Sequence, residues 1–183
     1  MNKFLLGVIS ALLIATTANA ATMYGVEITE KSMLAGQSLT LNGVGLRKKG
    51  PFKVYLAALY TGEKSTDAEK ILAQTGPKRV ELRMLRNVAK TKMVGAIVDG
   101  FEDNTKNMAS IQARVDEFIT YMEEVKKGDN IQFDFLPAIG TNIVINGNIK
   151  GSIVGKDFFD ALMKVWVGDK PADGKLKNAM LGL

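Results

Sequence analysis

Residues Leu41–Tyr60 read LNGVGLRKKGPFKVYLAALY: two apolar segments joined by a short basic turn, with Arg47 closing the first. Side chains alternate between the faces of a strand. Counting back from Arg47, its face carries Gly45, Gly43, Leu41 and Leu39, and the other carries Leu46, Val44, Asn42, Thr40 and Ser38. An arginine on an apolar, side-chain-poor face is costly unless it meets an anion. The glycines can also bulge the strand and reverse that parity. The second segment places Phe52, Val54, Leu56, Ala58 and Tyr60 on one face and Lys53, Tyr55, Ala57 and Leu59 on the other. Lys53 apart, neither face is polar, which predicts a central strand covered on both sides. Helices cover one face; another part of the chain or a bound apolar molecule covers the other. The small Ala57 and Ala58 leave room for close packing or for a ligand.

Working outward, a short strand is expected near Met23–Ile28. Thr66-Asp67-Ala68-Glu69 forms a capping box before a short helix that runs to Gln74 and stops at Gly76-Pro77. Lys78–Arg86 alternates, with Val80, Leu82 and Met84 inward and Arg79, Glu81 and Arg83 outward. Helices follow over Thr91–Asn104, with Val94, Ile97, Val98 and Phe101 in one stripe, and over Met108–Lys127, ending at Gly128. The period then returns to two over Asn130–Leu136. Thr141–Ile145 and Asn148–Val154 flank Asn146-Gly147, a strong two-residue hairpin signal. A helix over Lys156–Val167 ends at Gly168-Asp169-Lys170-Pro171, and a short one occupies Asp173–Leu181. Strands, helices, strands, helix is an α+β order: a largely antiparallel sheet with helices grouped on one side.

The first twenty residues, Met1–Ala20, combine Lys3, the apolar run Phe4–Ile14 and Ala18-Asn19-Ala20. This is the pattern of a secretory leader cleaved after Ala20, and it implies a periplasmic or secreted protein. The run is too short for a stop-transfer helix, so no stable membrane insertion is expected. Residues 21–183 suit one domain, large enough to do without the disulfides that a cysteine-free chain lacks. The formal charge is +5, or +4 once Lys3 leaves with the leader, far from a nucleic-acid-binding footprint.

The chain has no histidine and no cysteine, which removes Ser-His-Asp triads, cysteine nucleophiles and soft zinc sites. No Asp/Glu spacing suggests an oxygen-ligated metal, and no cofactor is implied. Gly151–Lys156 falls one residue short of a phosphate loop, with Asp157 where Ser or Thr is needed; it reads as a strand's end entering a helix. Asp116-Glu117, Glu102-Asp103 and Glu123-Glu124 lie on solvated helix faces, and Lys48, Lys49 and Lys53 cluster at the turn. Met84, Met93, Met108, Met122 and Met163 suit core filler or an adaptable apolar pocket.

Arg47 and Tyr55 stand apart. A guanidinium fork suits carboxylate or enolate oxygens, and a phenol completes such a bond. The residues alone leave Arg47 two fates: solvent beside Lys48 and Lys49, or an anion.

The Gly-x-Gly-x-Arg run of Gly43–Arg47 and the Val-Tyr-x-Ala-x-x-Tyr pattern of Val54–Tyr60 resemble the opening strands of the chalcone isomerase family. The similarity extends through Arg83-Met84-Leu85-Arg86, the helix pair, the Asn146-Gly147 hairpin and the helix ending Trp166-Val167-Gly168. It is nearest the bacterial members that carry a leader. The resemblance implies an open-faced β-sandwich, a large antiparallel sheet backed by a layer of helices. In the plant enzymes the matching arginine stabilises a substrate oxygen. A threonine on the next strand falls at Tyr55, as in the fatty-acid-binding members, where arginine and tyrosine hold a carboxylate. The enzymes' active-site tyrosine and asparagine fall at Met93 and Gly100, whose side chains donate no hydrogen bond. The resemblance therefore implies a non-catalytic binder of a small amphipathic acid such as a fatty acid, with Arg47, Tyr55 and Met93 as its site. The alternatives are an intramolecular lyase acting on an enone with Arg47 as electrophile, and a structural or partner-binding module without ligand.

Overall fold

The strands predicted at Leu41–Tyr60 extend to β4 (Gln37–Lys49) and β5 (Phe52–Thr61) in the computed structural model, which describes residues 20–183. The expected leader lies outside the described residues, apart from its last residue, Ala20, which opens a strand. Around the hairpin runs one seven-stranded antiparallel sheet, each strand beside its sequence neighbour. β3 (Lys31–Leu34) leads into β4 and β5, followed by β6 (Lys78–Met84), β7 (Asn130–Leu136), β8 (Gly140–Ile145) and β9 (Asn148–Ile153). A separate two-stranded hairpin, β1 (Ala20–Met23) and β2 (Val26–Thr29), replaces the strand expected at Met23–Ile28. It turns at Tyr24-Gly25, both at positive φ.

One face of the sheet packs against the helices. Val80, Leu82 and Met84 alternate inward on β6, and Ile131, Phe133 and Phe135 on β7, all buried. α1 (Ala68–Ala73), α2 (Lys90–Asn104), α3 (Gln112–Tyr121), α4 (Lys156–Val167) and α5 (Gly174–Met180) complete the fold. α4 is the central helix and spans the expected residues. Phe158, Phe159, Leu162, Met163, Val165 and Trp166 are all buried, as in a helix surrounded by protein. Phe101, Phe118 and Phe158 meet with centroids 5.5–6.2 Å apart, joining α2, α3 and α4 through edge and tilted contacts.

β5 is buried from Tyr55 to Thr61, as its two apolar faces predicted. Its second face is covered by the chain itself. The sheet curls so that Leu34, Leu39, Ala58 and Tyr60 form a second cluster with Leu41, Val44 and Leu136.

Some boundaries moved for tertiary reasons. Asp67, not Thr66, caps α1, its carboxylate accepting from the amides of Glu69 and Lys70. The helix expected over Met108–Lys127 is a 3₁₀ turn at Met108–Ser110 and then α3, which stops at Tyr121. Beyond it the backbone extends, and Val125 exchanges both hydrogen bonds with Val88 (2.8 and 3.1 Å) while burying its side chain completely. A bridge to a distant segment of the same chain thus outweighs one more helical turn. Asn146 and Gly147 take positive φ (51° and 79°) in the β8–β9 turn, as a two-residue hairpin requires.

Candidate functional site

Parity along β4 changes at a bulge. Leu41 pairs with Tyr60 but Gly43 with Leu59, so Asn42 is the extra residue. Leu39 and Leu41 therefore face the far cluster, while Gly43, Gly45 and Arg47 pair with Leu59, Ala57 and Tyr55 on the helix side. The arginine does not share a face with the leucines, contrary to the simple count; it keeps the glycines. A second irregularity follows Arg47 directly.

Those glycines let α5 lie on the strand itself. A Cβ at Gly43 would strike the backbone carbonyl of Ala179, and one at Gly45 would come within 2.8 Å of both Ala179 Cβ and Leu176 Cδ1. The bulged Asn42 secures the helix's far end, its amide donating to Met180 O (2.8 Å) and Ser65 O (3.0 Å). Arg47 meets the near end. Asp173 caps α5 by accepting from Lys175 N and Leu176 N (2.9 and 3.2 Å) through Oδ1, and its Oδ2 lies 3.5 Å from Arg47 Nη1. Both side chains are about one-fifth exposed (22% and 19%). Arg47 also donates to the carbonyl of Lys48.

Tyr55 stands directly across from Arg47. Its oxygen accepts from the buried Trp166 indole N–H (3.0 Å), and Trp166 stacks on Phe133. Burial raises the phenol above its ordinary value, against the opposing pull of the Trp166 bond and the Arg47 charge. The phenol is thus neutral and keeps a proton to donate, for which no protein acceptor is present among the described residues. Arg47 and Tyr55 together can hold an oxyanion. The ionisable groups that act on Tyr55 are Arg47 and Asp173.

Met93 is buried in the helix–sheet core without a polar partner among the described residues. Two turns on, Gly100 is pressed against Val165 of α4, whose methyl carbons would lie 2.7 and 3.0 Å from a Cβ. Trp166 and Asp173 were not among the expected site residues. The one signal for Trp166 is that it is the sole tryptophan, and a buried indole needs an acceptor; for Asp173 there is only its place before a helix.

Two clefts, of about 810 and 250 Å³, open elsewhere, along α1, α4 and the C-terminal end of α2. Neither is lined by Arg47, Tyr55 or Met93. Among the described residues no group of three or more His, Cys, Asp or Glu could hold a metal, and no helix is long and apolar enough to cross a membrane.

A family model described as chalcone isomerase-like matches residues 20–182. The structure is similar to that of a fatty-acid binding protein of Arabidopsis thaliana, with a TM-score of 0.69 at 14% identity, covering 89% of this chain and 96% of the other. No curated protein matches the sequence.

Proposed function

Because the chain belongs to the chalcone isomerase-like family, we propose that it is a non-catalytic member binding a fatty acid or similar small amphipathic carboxylate, in the periplasm or outside the cell. One observation carries the reading: Arg47 faces Tyr55 across two strands, and the phenol's proton is uncommitted among the described residues. A carboxylate on the guanidinium would accept from that phenol as well. Charge-assisted hydrogen bonds contribute about 1.5–3 kcal/mol, and each buried methylene adds about 0.8 kcal/mol. The fatty-acid binding protein of similar structure supports the ligand class. Met93 and Gly100 argue against turnover, since neither supplies a polar side chain where the family's enzymes position substrate.

The packing of α5 on β4 favours a second reading, a module whose site is filled by its own side chains. Mass spectrometry of lipid extracted from protein purified without detergent separates the two. A co-purified fatty acid in the wild type, lost in Arg47→Ala, is the expected result. An empty wild type, or equal lipid in the variant, refutes the binding reading. An enone turned over by the wild type and not by Arg47→Ala would instead establish an enzyme.

A further inference from the structure

We infer that Asp173 is the protein's own occupant of the Arg47 anion site, and that a ligand carboxylate enters by displacing it and lifting α5 from β4. The inference rests on the binding reading above and adds how the site opens.

Three observations converge. First, Arg47 already faces a carboxylate, and that carboxylate also caps α5. One side chain thus joins the state of the anion site to the start of the helix. Second, the floor beneath α5 has no side chains at Gly43 and Gly45, so the strand meets helix backbone at Gly43 and the side chains of Ala179 and Leu176 at Gly45. The buried Leu176, Met180 and Leu181 are what α5 and its end add to the core there. Without them an apolar trough would lead away from Arg47, about 10 Å long over the seven residues of α5. That geometry suits a medium-length acyl chain with its carboxylate at the Arg47 end. Third, α5 follows the Gly168–Ala172 connection and is joined to the rest of the protein by few polar contacts. Among the described residues these are Asp173 to Arg47, Asn42 to Met180 O, and Lys177 Nζ to Gly168 O (2.8 Å). α4, by contrast, is buried almost all round and tied to the sheet through Trp166 and Tyr55. Elements with few polar ties open at lower cost in free energy than those tied on several sides.

Asp173→Asn tests this, because asparagine caps a helix as well as aspartate does but brings no charge to Arg47. Dodecanoic acid binding is measured by calorimetry on wild type, Asp173→Asn and Arg47→Ala, with methyl dodecanoate as the uncharged control. Removing a competing, partly exposed ion pair should tighten dodecanoate binding about three- to tenfold, leave the ester weaker than the acid in both proteins, and fail to rescue Arg47→Ala when the two are combined. Hydrogen exchange at the amides of Leu176–Met180 should quicken in the wild type when dodecanoate is added. If wild type binds dodecanoate through Arg47 but Asp173→Asn binds it no tighter, or α5 exchange does not change, this inference fails and the binding reading stands. If neither wild type nor Asp173→Asn binds, both fail. Matching urea midpoints for wild type and Asp173→Asn confirm that the cap is preserved.

Discussion

Lys78 is completely buried, and its stability effect should reverse the usual behaviour of a surface lysine on raising the pH. Its ammonium donates to Gln74 O at the end of α1 and lies over the rings of Phe135 and Phe159, 5.1 and 5.9 Å from their centroids. Burial, and next the nearby Lys156, pull its pKa from 10.5 down to about 8, with Asp160 opposing. Below pH 8 both folded and unfolded chains hold this proton. Between about 8 and 10.5 the unfolded chain holds more, so stability rises with pH through that window. Integrating the shift gives a gain of about 2–3 kcal/mol from pH 7 to pH 10. Lys78→Met keeps the bulk and lacks the proton. It loses one hydrogen bond, about 1 kcal/mol, yet should match or exceed wild-type stability at pH 7. Urea unfolding of both proteins at each pH isolates the effect, because other titrating groups cancel in the difference. The wild type should gain about 2–3 kcal/mol on the variant between the two pH values. A difference that stays constant within about 0.5 kcal/mol would show that the amine is hydrated and not depressed, and would refute the reasoning.

Glycine contacts make a second set of expectations. Gly43→Ala should cost about 1–3 kcal/mol in urea unfolding and loosen α5, because the Ala179 carbonyl that meets the new methyl is backbone. Gly95→Ala, with nothing near its Cβ and in the middle of α2, should instead stabilise by about 0.5–1 kcal/mol. Gly147→Ala forces an alanine to φ +79° and should lower the thermal midpoint, at a cost near 1 kcal/mol. On the far face, Arg79 grips Asp134 through two bonds (2.6 and 2.7 Å), both side chains being nearly buried. Arg79→Met leaves that carboxylate unpaired and should cost about 3–5 kcal/mol, with the Arg79→Met/Asp134→Leu pair recovering much of it in the same unfolding assay.

Local chemistry made much of the fold legible. The Asn146-Gly147 turn, the Lys156–Val167 helix and the alternation expected over Lys78–Arg86 each follow from forces acting within a few residues; the turn and helix stand where expected, and the strand ends two residues early at Met84. Errors fell where distant chain intervened. The end of α3 was lost because Val125 had a β partner in Val88, and the face of Leu41 because a bulge at Asn42 served the carbonyl of Met180. Neither partner is visible from the segment itself.

The candidate site divides along the same line. That Arg47 and Tyr55 lie on neighbouring strands follows from two apolar segments and a tight basic turn. The turn's own register (Lys49 with Phe52, Lys48 with Lys53) would set Arg47 against Val54, but the irregularity after Arg47 moves it to Tyr55. What stands against Arg47 comes from 126 residues further on, where Asp173 begins the helix that the glycines admit. Periodicity can place an arginine on a face; only the folded chain decides which carboxylate, its own or a ligand's, has access to it.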